Sequence, residues 1–156
     1  MIPNDRAFNG KSSFEHDDKT YHRWYYLKQL GDCTIKINYV SSNSNNEQGI
    51  ALFFSNFKGN VLLNGEQLKV LNGFKHYVFY ERDIKEKGVE LTVHNENGYL
   101  YFGTGANENG IFRCGSFACA FYIEEITKNH YRFYCNDFEM DDDFDDFIFD
   151  IIIKKI

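Results

Sequence analysis

The rhythm of its apolar residues restricts this chain more than anything else in it. Runs rich in β-branched and aromatic residues recur about every ten positions, split by Asn/Gly pairs, and helical periodicity is nearly absent. In Ile35-Lys36-Ile37-Asn38-Tyr39, and again in Val89-Glu90-Leu91-Thr92-Val93, apolar and polar residues alternate. Each such strand turns one face to a core and the other to water. The spacing predicts an all-β fold, a single-domain antiparallel β-sandwich of jelly-roll type with about ten to eleven strands and little helix. Strands are expected at 23–30, 33–40, 49–55, 60–63, 67–71, 74–80, 89–94, 99–104, 117–124, 130–135 and 147–154. The pairs Asn64-Gly65, Asn72-Gly73 and Asn97-Gly98 predict three hairpins, because Asn-Gly accepts the positive φ of a type I′ turn. Residues 81–87 could hold one helical turn closed by Gly88, and 41–48 and 106–110 read as loops. Phe147-Ile148-Phe149-Asp150-Ile151-Ile152-Ile153 is apolar on both faces but for one acid, and is expected to lie centrally.

A chain of 156 residues can bury about 70% of its extended surface, enough for a full core without metal or disulfides. No Gly/Ser-rich or Pro-rich linker divides it, so 21–156 reads as one domain preceded by a mobile N-terminal segment, 1–20. With no export signal at Met1 and no apolar run of membrane length, a cytoplasmic protein without membrane association is expected. Cys33, Cys114, Cys119 and Cys135 form no zinc spacing, and Cys135, inside an alternating run, reads as a small buried apolar residue.

The net charge of −6 is concentrated in one place. Residues 137–150 hold eight of the 23 acids and no Lys or Arg, whereas the remainder carries 15 acids against 17 bases. A nucleic-acid ligand is not expected, since phosphate neutralisation needs the opposite sign. So dense a block must be solvated, paired or neutralised by a cation. Hard cations such as Ca²⁺ gather carboxylates from alternate loop positions, and Asp141, Asp143 and Asp145 have that spacing. An EF-hand is ruled out, because Asp146 takes the place of the required Gly and Ile152 that of the closing Glu. The run Asp141-x-Asp143-Phe144-x-Asp146-Phe147-Ile148-Phe149 resembles the motif closing several calcium-associated β-sandwich families of bacterial surface proteins, similar in architecture to carbohydrate-binding modules. The resemblance implies Asp141, Asp143 and Asp146 as first ligands of a Ca²⁺ cofactor. A solvated loop and an acidic docking surface for a basic protein are the other two readings of the same residues.

Aromatic residues number 28, more than an ordinary core requires. Trp24-Tyr25-Tyr26 and Tyr99-Leu100-Tyr101-Phe102 place rings at consecutive strand positions, so some must leave the core face. Trp24, Tyr26, Tyr99 and Tyr101 are the candidates to contact a ligand, for which carbohydrate suits rings with a polar handle. The alternative is a strand covered on both faces. His16-Asp17-Asp18 offers a conceivable general base, but no nucleophile with a base and an orienting group can be named. Two functions follow: a non-enzymatic binding module for carbohydrate with Ca²⁺ in its acidic loop, or a small acidic interaction protein of immunity or inhibitor type docking a basic partner.

Overall fold

The computed structural model describes residues 12–27, 31–114, 119–137 and 143–156. Strand takes up 68% of them and helix 5%, so no helical layer covers the sheet. Among the described residues twelve strands are present: β1 (Ser13–His16), β2 (Lys19–His22), β3 (Tyr25–Leu27), β4 (Cys33–Ser42), β5 (Gln48–Leu63), β6 (Glu66–Leu68), β7 (Tyr77–Tyr80), β8 (Val89–Glu108), β9 (Ile111–Cys114), β10 (Phe121–Thr127), β11 (His130–Cys135) and β12 (Phe147–Lys155). Among the described residues there is one helix, α1 (Glu81–Lys87), which ends at Gly88 as expected. All the strand pairings are antiparallel, in the order β1-β2-β10-β11-β12-β4-β8-β5-β6, with β3 and β9 on β8 and β7 on β5. No described helix is long and apolar enough to cross a membrane.

Two long strands build the sandwich. Residues 89–93 of β8 pair with β4 on one side and with 61–63 of β5 on the other. Residues 99–106 of β8 pair instead with β5 at 48–55, and their other side takes β3 and then β9. Between the halves Asn56 and Phe57 oppose Gly98, and Gly59 reaches His94 so closely that a Cβ would sit 1.9 Å from its carbonyl oxygen. Irregularities of this kind bend a strand pair. Beyond the bend the sheet folds back on itself, and Tyr25 of β3 meets Phe133 of β11 edge-on at 5.1 Å. The main core has Phe54, Phe102, Phe121, Phe133, Phe147 and Phe149 fully buried, and a smaller cluster gathers Tyr21, Ala120 and Phe144.

Several expectations need correction. Asn97-Gly98 lies inside β8, opposite the bulge of β5 at Asn56 and Phe57, so the runs 89–94 and 99–104 are one strand, as are 49–55 and 60–63. Asn72-Gly73 closes no hairpin either: the Asn72 side chain accepts from Phe57 N (2.8 Å) and donates to Phe57 O (3.2 Å), clamping the bulge of β5. Asn64-Gly65 does form the two-residue turn, with positive φ at both positions. Part of the segment expected to be mobile, 13–20, folds with Tyr21 and His22 into the β1–β2 hairpin, which joins β10 at Phe121↔His22. β12 is central, flanked by β11 and β4, with its inner residues fully buried and Asp150 buried on the outer face. Cys135 lies in the core, where burial pushes its thiol well above the ordinary range.

Candidate functional site

Alternation along β8 sends Leu100 and Phe102 into the core and Tyr99 and Tyr101 to the outer face. β3 does the same, burying Leu27 inside and turning Tyr26 out beside Tyr101. The four ring residues singled out from two distant runs therefore meet on one sheet face. Tyr26 lies 5.6 Å from Tyr99 and 5.2 Å from Tyr101, and Trp24 stands edge-on to Tyr101 at 5.7 Å. All four are half-buried.

The ring layer extends beyond them, through buried Phe53 to exposed His76 and half-buried Tyr80 and Phe112. Phe53 of β5 stacks on Tyr101 at 4.8 Å and meets Trp24 edge-on at 5.3 Å. His76 packs on Phe53 at 4.9 Å and lies 6.5 Å from Phe112 of β9, which meets Tyr80 at 5.8 Å. Eight rings thus touch in sequence across β3, β8, β5, β9 and β7. Sequence reasoning missed Phe53, His76, Tyr80 and Phe112. The available signal was the pair Phe53-Phe54, two consecutive rings that a strand must send to opposite faces. Small residues make the floor: a Cβ on Gly103 would lie 2.5 Å from the Trp24 indole, and one on Gly49 would lie 2.8 Å from the Phe112 ring.

Burial, then the neighbouring Tyr99, pushes the Tyr26 phenol above its ordinary value. Burial followed by Tyr26, Tyr99 and Cys114 does the same at Tyr101. Both hydroxyls are protonated at neutral pH and can donate as well as accept. Chemically the face offers flat apolar area with phenolic tips, and two arginines beside it are paired, Arg113 with Glu108 at 2.7 Å and Arg82 with Glu47 at 3.7 Å.

The described acids of the segment 137–150 lie elsewhere: Asp137 just after β11, Asp143, Asp145 and Asp146 just before β12, and Asp150 within β12. Asp137 is fully buried and its Oδ2 accepts from Ser44 Oγ (2.6 Å), Asn46 Nδ2 (3.2 Å) and Gln48 Nε2 (3.2 Å). Asp146 is also buried; its Oδ2 accepts from the Asp137 backbone N–H (3.0 Å). Asp145 Oδ2 accepts from Asn43 Nδ2 at 2.9 Å, and Asp143 is exposed. Asp141 lies outside the described residues. Among the described residues no group of three or more His, Cys, Asp or Glu side chains is placed to hold a metal ion. The stretch is anchored by Phe144, which packs on Tyr21 at 5.0 Å and Tyr122 at 5.6 Å, and by Phe147 in the core.

Asp150, the last acid of the block, belongs to a third cluster. Its carboxylate accepts from Arg132 Nε (2.8 Å) and Nη2 (3.1 Å) and meets His130 Nε2 at 2.9 Å. Burial alone would raise its pKa, but the bonds to Arg132 and His130 outweigh that and hold it below the usual carboxylate value. His16 and Asp17, the other acid–imidazole pair, stand 3.1 Å apart at the exposed β1–β2 turn. Comparison with protein-family models, with curated proteins and with solved structures gives no match to this chain.

Proposed function

We propose that the chain is a non-enzymatic binding module whose outer ring surface contacts carbohydrate. One observation carries the reading: Trp24, Tyr26, Tyr99 and Tyr101 come from two distant segments and meet on a single sheet face, half open to water. Sugar rings present flat C–H faces bordered by hydroxyls, and aromatic faces with phenolic tips complement both features. The described acids do not support the alternative of an acidic docking surface equally well, since Asp137, Asp146 and Asp150 are buried and bonded within the protein.

The test is a panel of soluble oligosaccharides and insoluble polysaccharides, read through the emission of Trp24, the single tryptophan. Binding that perturbs this emission and is lost in Tyr26→Ala and Tyr99→Ala, with far-UV circular dichroism unchanged, supports the reading. No binding across the panel at millimolar sugar, or full binding by both variants, defeats it. A Ca²⁺ ion in the acidic loop would be a separate element, tested by melting in EDTA and in millimolar CaCl₂. A higher melting temperature with calcium that disappears in Asp141→Asn/Asp143→Asn/Asp146→Asn supports the ion, and equal melting temperatures reject it.

A further inference from the structure

The β1–β2 hairpin meets β10 at one register position, Phe121↔His22, whereas β10 pairs with β11 from Phe121 to Thr127. A further backbone bond, Arg23 N to Ser12 O at 2.8 Å, continues the hairpin's own ladder and adds no tie to the sandwich. Side chains supply the remaining attachment. On one face Tyr21 packs on Phe144 at 5.0 Å and on Tyr122 at 6.1 Å, and Lys19 Nζ lies 4.3 Å from the centre of the Tyr122 ring. On the other face His22 stacks on Phe121, with ring centroids 5.7 Å apart and planes 19° from parallel. Phe121 is fully buried and His22 is half-buried. The strand junction and one of the two side-chain attachments therefore coincide at a single titratable residue.

Among the described residues the His22 ring has no hydrogen-bond or ion-pair partner. Its partner on β1 is Ser13, and the acid on that face of the hairpin, Glu15, is exposed to water. From β10 it meets Phe121, which carries no charge, and Arg23, next in the chain, has the sign of an imidazolium. Lys19 and His16 lie on the Tyr21 face instead. Burial lowers the His22 pKa below its ordinary value, with no neighbouring charge acting on it. We propose that His22 is a pH-sensitive latch: neutral, it holds the β1–β2 hairpin on β10, and protonated, it releases that hold and bares apolar surface on Phe121, Tyr122 and Phe144. A proton on the ring places a cation against an apolar face with no counter-charge, and the pull of the Phe121 ring on that cation returns only part of the lost hydration. Because the docked hairpin favours the neutral ring, docking is strongest above the ordinary imidazole value of 6.5 and weakens as pH falls below it. His16 acts in the opposite sense, since its Nε2 stands 3.1 Å from Asp17 and a proton there strengthens the pair.

Hydrogen exchange on the full chain at about pH 7.5 and about pH 5, each corrected for the intrinsic exchange rate, compares segment 13–22 with segment 33–42 of β4. In the wild type and in His16→Gln the hairpin is expected to lose protection in acid while β4 keeps it. His22→Phe retains the stack but accepts no proton, and should protect the hairpin equally at both pH values. His22→Lys carries the charge permanently and should leave the hairpin open at both. Titration of the His22 ring by nuclear magnetic resonance should give a value below 6.5. A wild-type hairpin equally protected at both pH values, the same acid loss in His22→Phe, a loss shared by β4, or a ring that titrates at 6.5 or above would each overturn the latch. Should His22→Lys fail to fold, the wild type, His22→Phe and the ring titration decide the matter without it.

Discussion

Gly103→Ala probes the ring surface most directly. Gly103 has a backbone that other residues adopt, so an added methyl meets only the side chain above it. That methyl would lie 2.5 Å from Cζ3 and 2.8 Å from Cε3 of Trp24, where ordinary contact begins near 3.4 Å. The indole must therefore retreat by about 1 Å, a distance set by those contacts. It is not free to do so, being edge-on to Phe53 at 5.3 Å and to Tyr101 at 5.7 Å. Aromatic pairs contribute about 0.5–1.5 kcal/mol each beyond buried area, so disturbing two costs about 1–3 kcal/mol. Removing a glycine from the unfolded chain offsets about 0.4–1 kcal/mol. The net loss is about 0.5–2 kcal/mol, or roughly 2–6 °C in Tm for a domain of this size. Thermal unfolding followed by near-UV circular dichroism measures it, and Trp24 emission shows whether the indole has moved. An unchanged emission maximum with an unchanged or raised Tm would mean that Trp24 is not seated on Gly103, and the ring surface as described would fall.

Asp150→Asn should cost about 1–3 kcal/mol, discounted for the partial exposure of Arg132 and His130. Since the folded pKa of Asp150 lies below the ordinary 3.8, its contribution is present above that value and is lost as pH falls through the folded one, so urea melts of wild type and variant should draw together as pH falls below 3.8. Gly65→Ala pays only for its positive φ, about 1–2 kcal/mol, whereas a Cβ at Gly98 also meets the Asn56 oxygen at 2.1 Å, so Gly98→Ala should lose about 3 kcal/mol or more in the same melts. Asp137→Ala strands the donors of Ser44, Asn46 and Gln48 and should cost about 2–4 kcal/mol, against about 0.5 kcal/mol or less for the exposed Asp143→Asn; equal costs would remove Asp137 from its structural role. Asn97 should deamidate before Asn64 and Asn72 in peptide maps of protein aged at pH 8. Its side-chain oxygen holds the attacking Gly98 nitrogen at 2.8 Å, whereas those of Asn64 and Asn72 are bonded to Glu90 and Phe57.

Strand identity was legible where packing is local, and strand continuity was not. His130–Cys135 forms where its alternation ends at turn residues, and β12 begins at Phe147 where the acids give way to an apolar run. Asn97-Gly98 misleads because the positive φ that closes a hairpin also serves a bulge, and only the pairing of β8 with β5 across the bend distinguishes the two. The aromatic candidates were found because three consecutive rings cannot all face one way. Phe53 carried the same signal in the pair Phe53-Phe54, whereas His76 and Phe112 stayed hidden because each depends on which strands lie side by side. Among the acids, composition marked the segment but not the fate of each carboxylate. Asp137 and Asp150 are identical in sequence terms, yet one is enclosed by Ser44, Asn46 and Gln48 and the other by Arg132 and His130.

The glycines of the central strands argue that the outer rings are more than leftover hydrophobic surface. Glycine inside a strand costs about 0.5–1 kcal/mol relative to alanine, and β5 and β8 carry it at 49, 103 and 105, all on the outer face. Each is covered: Gly49 by Phe112, Gly103 by Trp24, and Gly105 by the Arg113 backbone at a distance that leaves a Cβ no room. A chain that needed only its inner core could place polar side chains at these positions and leave the outer face to water, as β4 does at Lys36. Here three stabilising side chains are omitted so that rings and a neighbouring strand can lie close against the sheet. The result is a layer half open to water. Neither the inner core nor the acidic segment requires that layer, which is why the ring surface and not the charge is the place to look for a ligand.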